Sequence, residues 1–279
     1  MRAAAVLGLA GLLFANEAMA ADYLRGTAYE GPTESYNWAG VYIGGQVGYT
    51  GADFNFGSAT QSQVADILRS TLLENEAQAS KLPKLSNGSA NGTSYGGFVG
   101  YNAQWGEAVV GFEANYSHTS ILKTANDVIS RSFTTSDNFR NDITIISNAS
   151  ARLIDFATLR ARAGYAAGPF MPYMMAGLAV GVVDYSRSAT VNLTGTDVSP
   201  SAQDPNDGIP PRPGYTLVDS RTDAKNGAIA FGYMFGAGID IGLLPNLFVR
   251  GEYEWVQFIP VRGIEIQTNT FRTALALKF

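Results

Sequence analysis

Apolar and aromatic side chains alternate with small or polar ones along several long stretches of the chain. The clearest stretch is 229–241, whose apolar set is Ile229, Phe231, Tyr233, Phe235, Ala237, Ile239 and Ile241. The residues between them are mostly glycine and alanine and include Asp240. A period of two is typical of a β-strand. One face of this strand suits lipid and the other suits a narrow interior, so the pattern predicts a membrane-spanning strand.

Eight segments of this kind can be placed along the chain. They cover 41–50, 94–105, 107–119, 150–165, 170–186, 227–241, 246–258 and 265–279. Short turns at 105–107, 166–169 and 242–245 alternate with long polar loops at 51–93, 120–149 and 187–226, and with a shorter loop near 259–264. This alternation predicts an all-β fold, an eight-stranded antiparallel up-and-down transmembrane β-barrel over residues 38–279 with long extracellular loops. An even strand count places both chain ends in the periplasm.

The first twenty residues have the pattern of a signal peptide. Arg2 precedes an apolar run over 3–15, and Ala18 and Ala20 are the small residues at the −3 and −1 positions that signal peptidase requires. We therefore expect export, cleavage after Ala20, and a periplasmic segment over 21–37 before the barrel. The expected location is the outer membrane.

Charged residues within the predicted strands provide a test, because Arg or Lys facing lipid at mid-membrane costs about 2–4 kcal/mol. The strand pattern places seven of them on the faces opposite the apolar side chains. The predicted lumenal charge network consists of Glu113, Arg160, Arg162, Arg250, Glu252, Glu254 and Arg272. Paired charges in a narrow interior would close the lumen. In the alternative interpretation, the same residues set the selectivity of a narrow passive channel for small solutes or ions.

Aromatic residues and loop composition add further detail. Two interfacial belts are predicted, an outer one of Tyr49, Tyr116, Tyr185 and Trp255 and a periplasmic one of Tyr101, Trp105, Tyr165 and Phe279. Helix-like spacing of apolar residues within 62–81 predicts a short helix that packs on the barrel mouth. Five prolines between 200 and 213 argue against regular structure in the third long loop.

Composition excludes several kinds of chemistry. The net charge of −5 and the lack of a basic run argue against a nucleic-acid partner. With no cysteine and one histidine, neither a thiol nucleophile nor a multi-histidine metal site is available. The third-loop aspartates have no calcium-motif spacing, so they are interpreted as solvated carboxylates; they are Asp197, Asp204, Asp207, Asp219 and Asp223. No cofactor and no metal are expected.

His118 and Ser120 form the one candidate catalytic pair. Their spacing is similar to the His-x-Ser pair that faces lipid in lipid A deacylases, which are also eight-stranded barrels. No oriented carboxylate is evident from the sequence to complete the constellation. We therefore expect no enzymatic activity.

The ordered motifs resemble a known family. The segments YNWAGVYIGGQVGYT, GGFVGYNAQWGEAVVGFEANYSH, LRARAGYAAGPFMPYMMAGLAVG, GYMFGAGIDIG, RGEYEWVQF and the terminal LALKF are similar to the small porin-like, opacity-type outer-membrane barrels of alphaproteobacteria. The resemblance implies a barrel that contributes to envelope integrity and to surface interactions through its loops. The implied partners are outer-membrane lipid and lipopolysaccharide and, through its loops, an unknown extracellular ligand.

The last strand ends in an aromatic residue. Phe271, Leu275, Leu277 and Phe279 share one face, which resembles the signal read by the barrel-assembly machinery. An aromatic-ended edge strand would be offered for pairing before the barrel closes. The alternative is that these residues simply form the last strand.

Overall fold

Eight antiparallel strands form a closed barrel in which each strand pairs with its sequence neighbours and β8 pairs with β1. The structure, a computed structural model, describes residues 36–204, 206 and 208–279. The strands are β1 (Gly40–Asn55), β2 (Gly88–Trp105), β3 (Ala108–Thr134), β4 (Phe139–Tyr165), β5 (Phe170–Asp197), β6 (Tyr215–Leu244), β7 (Leu247–Phe258) and β8 (Glu265–Lys278). The predicted strand count, order and short turns are confirmed.

A band of apolar side chains surrounds the barrel on its outer face. On β6 the exposed positions run from Ile229 through Phe231, Tyr233 and Phe235 to Ile239, while Ala230 and Met234 face inward and are buried. Equivalent outward positions on the other strands carry valine, leucine, alanine, tyrosine and phenylalanine. A lipid-facing surface of this kind is typical of a transmembrane barrel. We call the end with short connections the turn end and the other the loop end.

Two of the predicted long loops are mostly strand. The segments 120–149 and 187–226 were expected to be loops, but β3, β4, β5 and β6 continue through most of them. Their register continues without interruption from Ile121↔Leu153 to Thr134↔Arg140. This four-stranded extension stands beyond the loop end of the barrel. The loop prediction was therefore wrong in extent.

A row of β-bulges marks where the extension leaves the barrel. The register shifts between His118 and Ile121 on β3, between Leu153 and Asp155 on β4, and beside Gly227 on β6. Gly227 has φ +67°, a left-handed conformation that glycine adopts readily. Bulges bend strands and increase their twist, so the row redirects the sheet at the end of the apolar band.

The first long loop forms helices that cover one face of the extension. They are α1 (Gln61–Leu68), α2 (Leu72–Ala77) and a 3₁₀ turn over Ala79–Lys81, which confirms the predicted helix within 62–81. Val64, Leu68 and Leu73 are buried against Ile143 and Val191 of the extension. The helices therefore pack mainly on the extension, next to the barrel mouth.

Among its described residues, the third long connection is irregular between 198 and 214 apart from a four-residue helix, α3 (Pro200–Gln203). Arg212 fixes it to the tip of the extension. Its guanidinium donates to both carboxylate oxygens of Asp197 at 2.7 and 3.1 Å and to the carbonyl oxygen of Asp137 at 2.7 Å. It also lies 4.5 Å from the ring centroid of Phe139. The expectation of little regular structure is confirmed for this segment.

Some predictions concern residues that the structure does not describe or places differently. The signal peptide, its cleavage site at Ala18 and Ala20, and most of the segment 21–37 lie outside the described residues. Tyr185 was assigned to the outer belt, but its side chain faces inward and is 5% exposed. Alternation on β5 is unbroken from Met171 to Leu193, so Tyr185 lies on the same inward face as Tyr173. Among the described helices, none has the length and apolar character needed to span a membrane.

Candidate functional site

The structure brings all seven predicted network residues together in the barrel lumen. Each is at most 2% exposed except Arg162, which is 3% exposed. The strand register explains part of the arrangement, because Glu113 lies directly opposite Arg160 and Glu252 directly opposite Arg272. Directly opposite side chains on one face of a sheet are about 5 Å apart. Neighbouring strands therefore supply these ion pairs.

Arg160 is the centre of one half of the network. Its Nε donates to Glu113 Oε1 at 3.0 Å, and its Nη1 donates to Glu252 at 2.8 Å and to Glu254 at 2.9 Å. Arg272 donates to Glu254 and lies 3.3 Å from Glu252. Three carboxylates are thus held between two guanidinium groups.

Arg250 is the centre of the other half, and its main partner was missed in the sequence. Asp240 lies directly opposite Arg250 on β6 and accepts from its Nε at 2.8 Å and its Nη2 at 3.1 Å. Arg162 also pairs with Asp240 and stacks 3.9 Å from the ring centroid of Tyr173. Asp240 is the only charged residue on the small-residue face of 229–241, which was a usable signal.

The completed network is electrically balanced. Four arginines, Arg160, Arg162, Arg250 and Arg272, face four carboxylates, Glu113, Asp240, Glu252 and Glu254. Burying ions is costly unless each one is paired and hydrogen-bonded. Here every charge has at least two ionic partners. Because the positive and negative side chains are equal in number, they can fill the lumen without an additional counter-ion.

Apolar layers close the lumen on both sides of the network. At the turn end, Trp38, Tyr42 and Phe248 are buried, and the ring centroids of Trp38 and Tyr42 each lie 5.7 Å from that of Phe248. At the loop end, Phe54 and Phe56 stack at 6.0 Å. The layer at the loop end also contains Phe156, Phe258, Ile264 and Ile266. Eight strands leave an interior just wide enough for side chains to fill.

Arg187 anchors the apolar layer at the loop end of the lumen through hydrogen bonds. Its Nη1 donates to the Ala59 carbonyl at 2.8 Å, to Ser62 Oγ at 3.1 Å and to the Arg262 carbonyl at 3.2 Å, while Nε and Nη2 hold Asp223. One side chain on β5 thus joins the first loop, β6 and the β7–β8 connection. Arg187 was not identified from the sequence because the segment 187–226 was predicted to be a long polar loop.

His118 has a carboxylate partner that the sequence did not reveal. Asp155, on the neighbouring strand, lies 2.7 Å from His118 Nδ1 and accepts from the Tyr116 hydroxyl at 2.7 Å. The three residues face outward at the row of bulges. Within the described residues no hydrogen bond joins Ser120 to His118. Asp155 thus supplies a carboxylate that was not evident from the sequence, but among the described residues the link from histidine to serine is not made.

The third-loop aspartates mostly have arginine partners. Asp197 pairs with Arg212, Asp219 with Arg221, and Asp223 with Arg187; Asp207 lies outside the described residues. Among the described residues, no three side chains of histidine, aspartate or glutamate are grouped as a metal site would require. Three of these carboxylates are therefore paired with arginine and not freely solvated, and the Asp223 pair joins β6 to β5.

The four residues of the predicted assembly signal lie on the outer face of β8. Phe271, Leu275, Leu277 and Phe279 are 63, 53, 47 and 79% exposed. The backbone N–H of Phe279 donates to the Val41 carbonyl at 2.8 Å, which joins the chain end to β1. The strand carrying these residues is the one that closes the barrel.

Residues 6–279 match the model of the outer membrane protein beta-barrel domain family. The chain therefore belongs to this family, and its barrel lies in the outer membrane. In such barrels the short turns are periplasmic and the long connections extracellular. The extension and its covering helices are thus extracellular.

Several solved outer-membrane barrels are similar to the chain. Ail, the attachment invasion locus protein of Yersinia pestis, solved with sucrose octasulfate, is 11% identical with a TM-score of 0.30, over 85% of this chain and 99% of Ail. Neisserial surface protein A is 13% identical with a TM-score of 0.31, over 86% and 98%. The N-terminal β-barrel domain of Pseudomonas aeruginosa OprF is 11% identical with a TM-score of 0.29, over 83% and 97%. No curated protein matches the chain. The family assignment rests on the sequence match alone.

Proposed function

We propose that this chain is a closed structural barrel of the outer membrane that contributes to envelope integrity and presents its extracellular sheet for surface interactions. The observation that carries the proposal is the balanced, fully buried network of four arginines and four carboxylates between two apolar layers. A passive channel needs a continuous aqueous path, and such a path would require these ion pairs to separate.

The channel alternative is tested by single-channel conductance of the refolded chain in planar bilayers. Heat-modifiable gel migration of the same preparation provides proof of folding. We expect a folded preparation that gives no conductance steps. Reproducible steps that change in Arg160→Gln or Glu252→Gln would instead establish a channel and overturn the proposal.

The finer parts of the proposal concern origin, export and assembly. The chain is an alphaproteobacterial member of the family, without enzymatic activity, exported by a signal peptide cleaved after Ala20 and inserted by the barrel-assembly machinery. The small residues Ala18 and Ala20 support cleavage of a signal peptide, and the aromatic-ended last strand supports insertion by the assembly machinery. Intact-mass measurement of the protein purified from outer membranes tests the cleavage, with a mature chain beginning at Ala21 as the expected result.

A further inference from the structure

The outer face of the extension carries a shallow hollow just beyond the row of bulges. It encloses about 320 Å³ and spans three adjacent strands. Its polar lining forms two rows in register, Thr124–Ser150–Ser186 and Asn126–Asn148–Ser188. Three strands at about 4.8 Å and two rows at about 7 Å define a grid of roughly 10 by 7 Å, the area of one or two sugar rings.

The six side chains of this grid have hydroxyl or amide groups without protein partners. Within the described residues, none of the six makes a side-chain hydrogen bond. Farther from the membrane on the same face, hydroxyls pair with one another, as Ser130 does with Thr144 at 2.8 Å and Thr190 with Ser220 at 3.1 Å. The hollow thus presents neutral donors and acceptors that are available to a ligand.

A cation lies between this hollow and the lipid-facing band. Arg152 occupies the next outward-facing position on β4, is exposed, and makes no ion pair within the described residues. Asp184 lies opposite Arg152, but its carboxylate accepts the backbone N–H of Gly227 at 2.8 Å. Beyond the bulge, Ala157 and Leu159 continue the strand into the apolar band. The surface therefore changes from apolar to cationic to neutral polar with distance from the membrane.

We infer that Arg152 and the six-residue grid bind the phosphorylated saccharide headgroup of a glycolipid in the outer leaflet. The acyl chains of such a lipid lie against the apolar band, its phosphate reaches Arg152, and its sugar hydroxyls face the grid. The hollow lies on the same outward face of the sheet as the lipid-facing band, with Arg152 in the row between them, which favours a membrane glycolipid over a soluble glycan. The inference rests on the proposed function, in which the extension of β3–β6 is presented outside the outer membrane.

Binding of purified lipopolysaccharide to the refolded full chain in detergent micelles, measured by isothermal titration calorimetry, tests this inference. The triple variant Asn148→Ala/Ser150→Ala/Ser186→Ala is expected to weaken binding about tenfold, since it removes three partners for sugar hydroxyls. Arg152→Gln is expected to weaken binding and to reduce its dependence on salt concentration. Heat-modifiable migration checks that every variant is folded.

Matched variants on the same sheet provide the controls. Asn192→Ala/Thr194→Ala removes similar side chains farther from the membrane, and Arg131→Gln removes an exposed arginine outside the hollow; both should bind lipopolysaccharide as the wild type does. Equal weakening in the triple variant and its control would overturn the inference. Binding of phosphatidylglycerol-containing vesicles as tight as that of lipopolysaccharide would also overturn it, because these vesicles offer charge without sugar. Binding of lipid-free core oligosaccharide as tight as that of lipopolysaccharide would overturn it too, because this glycan has no acyl chains. Conductance measurements decide the closed-barrel proposal separately.

Discussion

Each charge in the lumen depends on partners contributed by other strands, so single substitutions should be far more harmful than their chemistry suggests. Glu254 accepts from Arg160 at 2.9 Å and also binds Arg272, with no exposed side-chain surface. Glu254→Gln keeps the shape but leaves the network with an excess positive charge. We expect a loss of about 3–5 kcal/mol in the free energy of unfolding, measured by urea titration of the refolded barrel.

The double variant Glu254→Gln/Arg272→Gln separates charge balance from packing. It restores neutrality, so its loss should be smaller than the sum of the two single losses by about 1–3 kcal/mol. Lys84→Gln, at an exposed loop position, should change stability by less than about 0.5 kcal/mol. Additive losses would show that the pairs act independently and not as one network.

Neighbouring strands approach closely at some glycines and not at others. A Cβ added at Gly177 would overlap the carbonyl oxygen of Leu159 on the neighbouring strand, whereas one added at Gly45 would have no heavy atom within 4 Å. Gly177→Ala should therefore lower the free energy of unfolding by about 1–3 kcal/mol. Gly45→Ala should leave it nearly unchanged. Urea titrations of both variants measure the difference, and equal stability would contradict the strand spacing described here.

Most buried charges could be identified from the sequence where alternation was clear, but Asp240 and Arg187 were not. Glu113, Arg160 and Arg250 each lie on a strand with bulky apolar neighbours, so the inward face could be identified. Asp240 was visible on such a face but lacks nearby charges along its strand. Arg187 lies beyond the bulges, and its partners come from the first loop and the β7–β8 connection. Contacts of that kind depend on tertiary structure, which strand periodicity does not report.

At the scale of elements, Arg212 makes the tip of the extension insensitive to mild acid. Its hydrogen bonds hold the pKa of Asp197 well below the usual range. A depressed pKa in the folded state gives stability that is present above the unfolded value of about 4 and is lost only as pH falls through the lower folded value. Hydrogen exchange of residues 198–214 should therefore show the same protection, relative to the intrinsic rates, at pH 7 and pH 4.

Removing the guanidinium tests that explanation of the tip. Arg212→Gln should increase exchange in 198–214 at both pH values and return the pKa of Asp197 toward its ordinary range. Arg221→Gln, whose exposed side chain pairs with Asp219 at 2.9 Å, should leave the tip protected. A wild-type tip that loosens at pH 4 would show that Asp197 titrates normally.

The extension was not predicted as strand because its outward-facing residues are polar, whereas those of the lipid-facing strands are apolar. Its outer face is rich in serine, threonine and asparagine, while the inner face of β3 carries Lys123, Asp127 and Arg131. Its apolar contacts come instead from α1 and α2, which lie before β2 in the chain. Long-range packing of this kind stabilises a sheet whose local sequence is typical of a loop. The helices were predictable because their own periodicity is local.

At the scale of the whole molecule, the same chain forms two differently built parts. The barrel is apolar outside and charged within, as a lipid solvent requires. In the extension, β4 and β5 have an apolar inner face covered by helices, and the outer face is polar, as water requires. The row of bulges separates them at the end of the apolar band. A closed barrel with a rigid extracellular sheet fits presentation at the cell surface better than transport.

At the end of the last strand, Phe279 is predicted to act in assembly of the barrel. Its side chain is 79% exposed, while its backbone joins β8 to β1. Phe279→Ser removes no buried contact, so the refolded variant should match the wild type in urea titration. In cells, the same variant should accumulate less in the outer membrane if the aromatic end is read by the assembly machinery. Leu243→Ser, exposed at the periplasmic end of β6, is the matched control and should assemble normally. Equal accumulation of both variants would leave Phe279 as an ordinary end of the last strand, and a loss of stability in vitro would assign it a structural role.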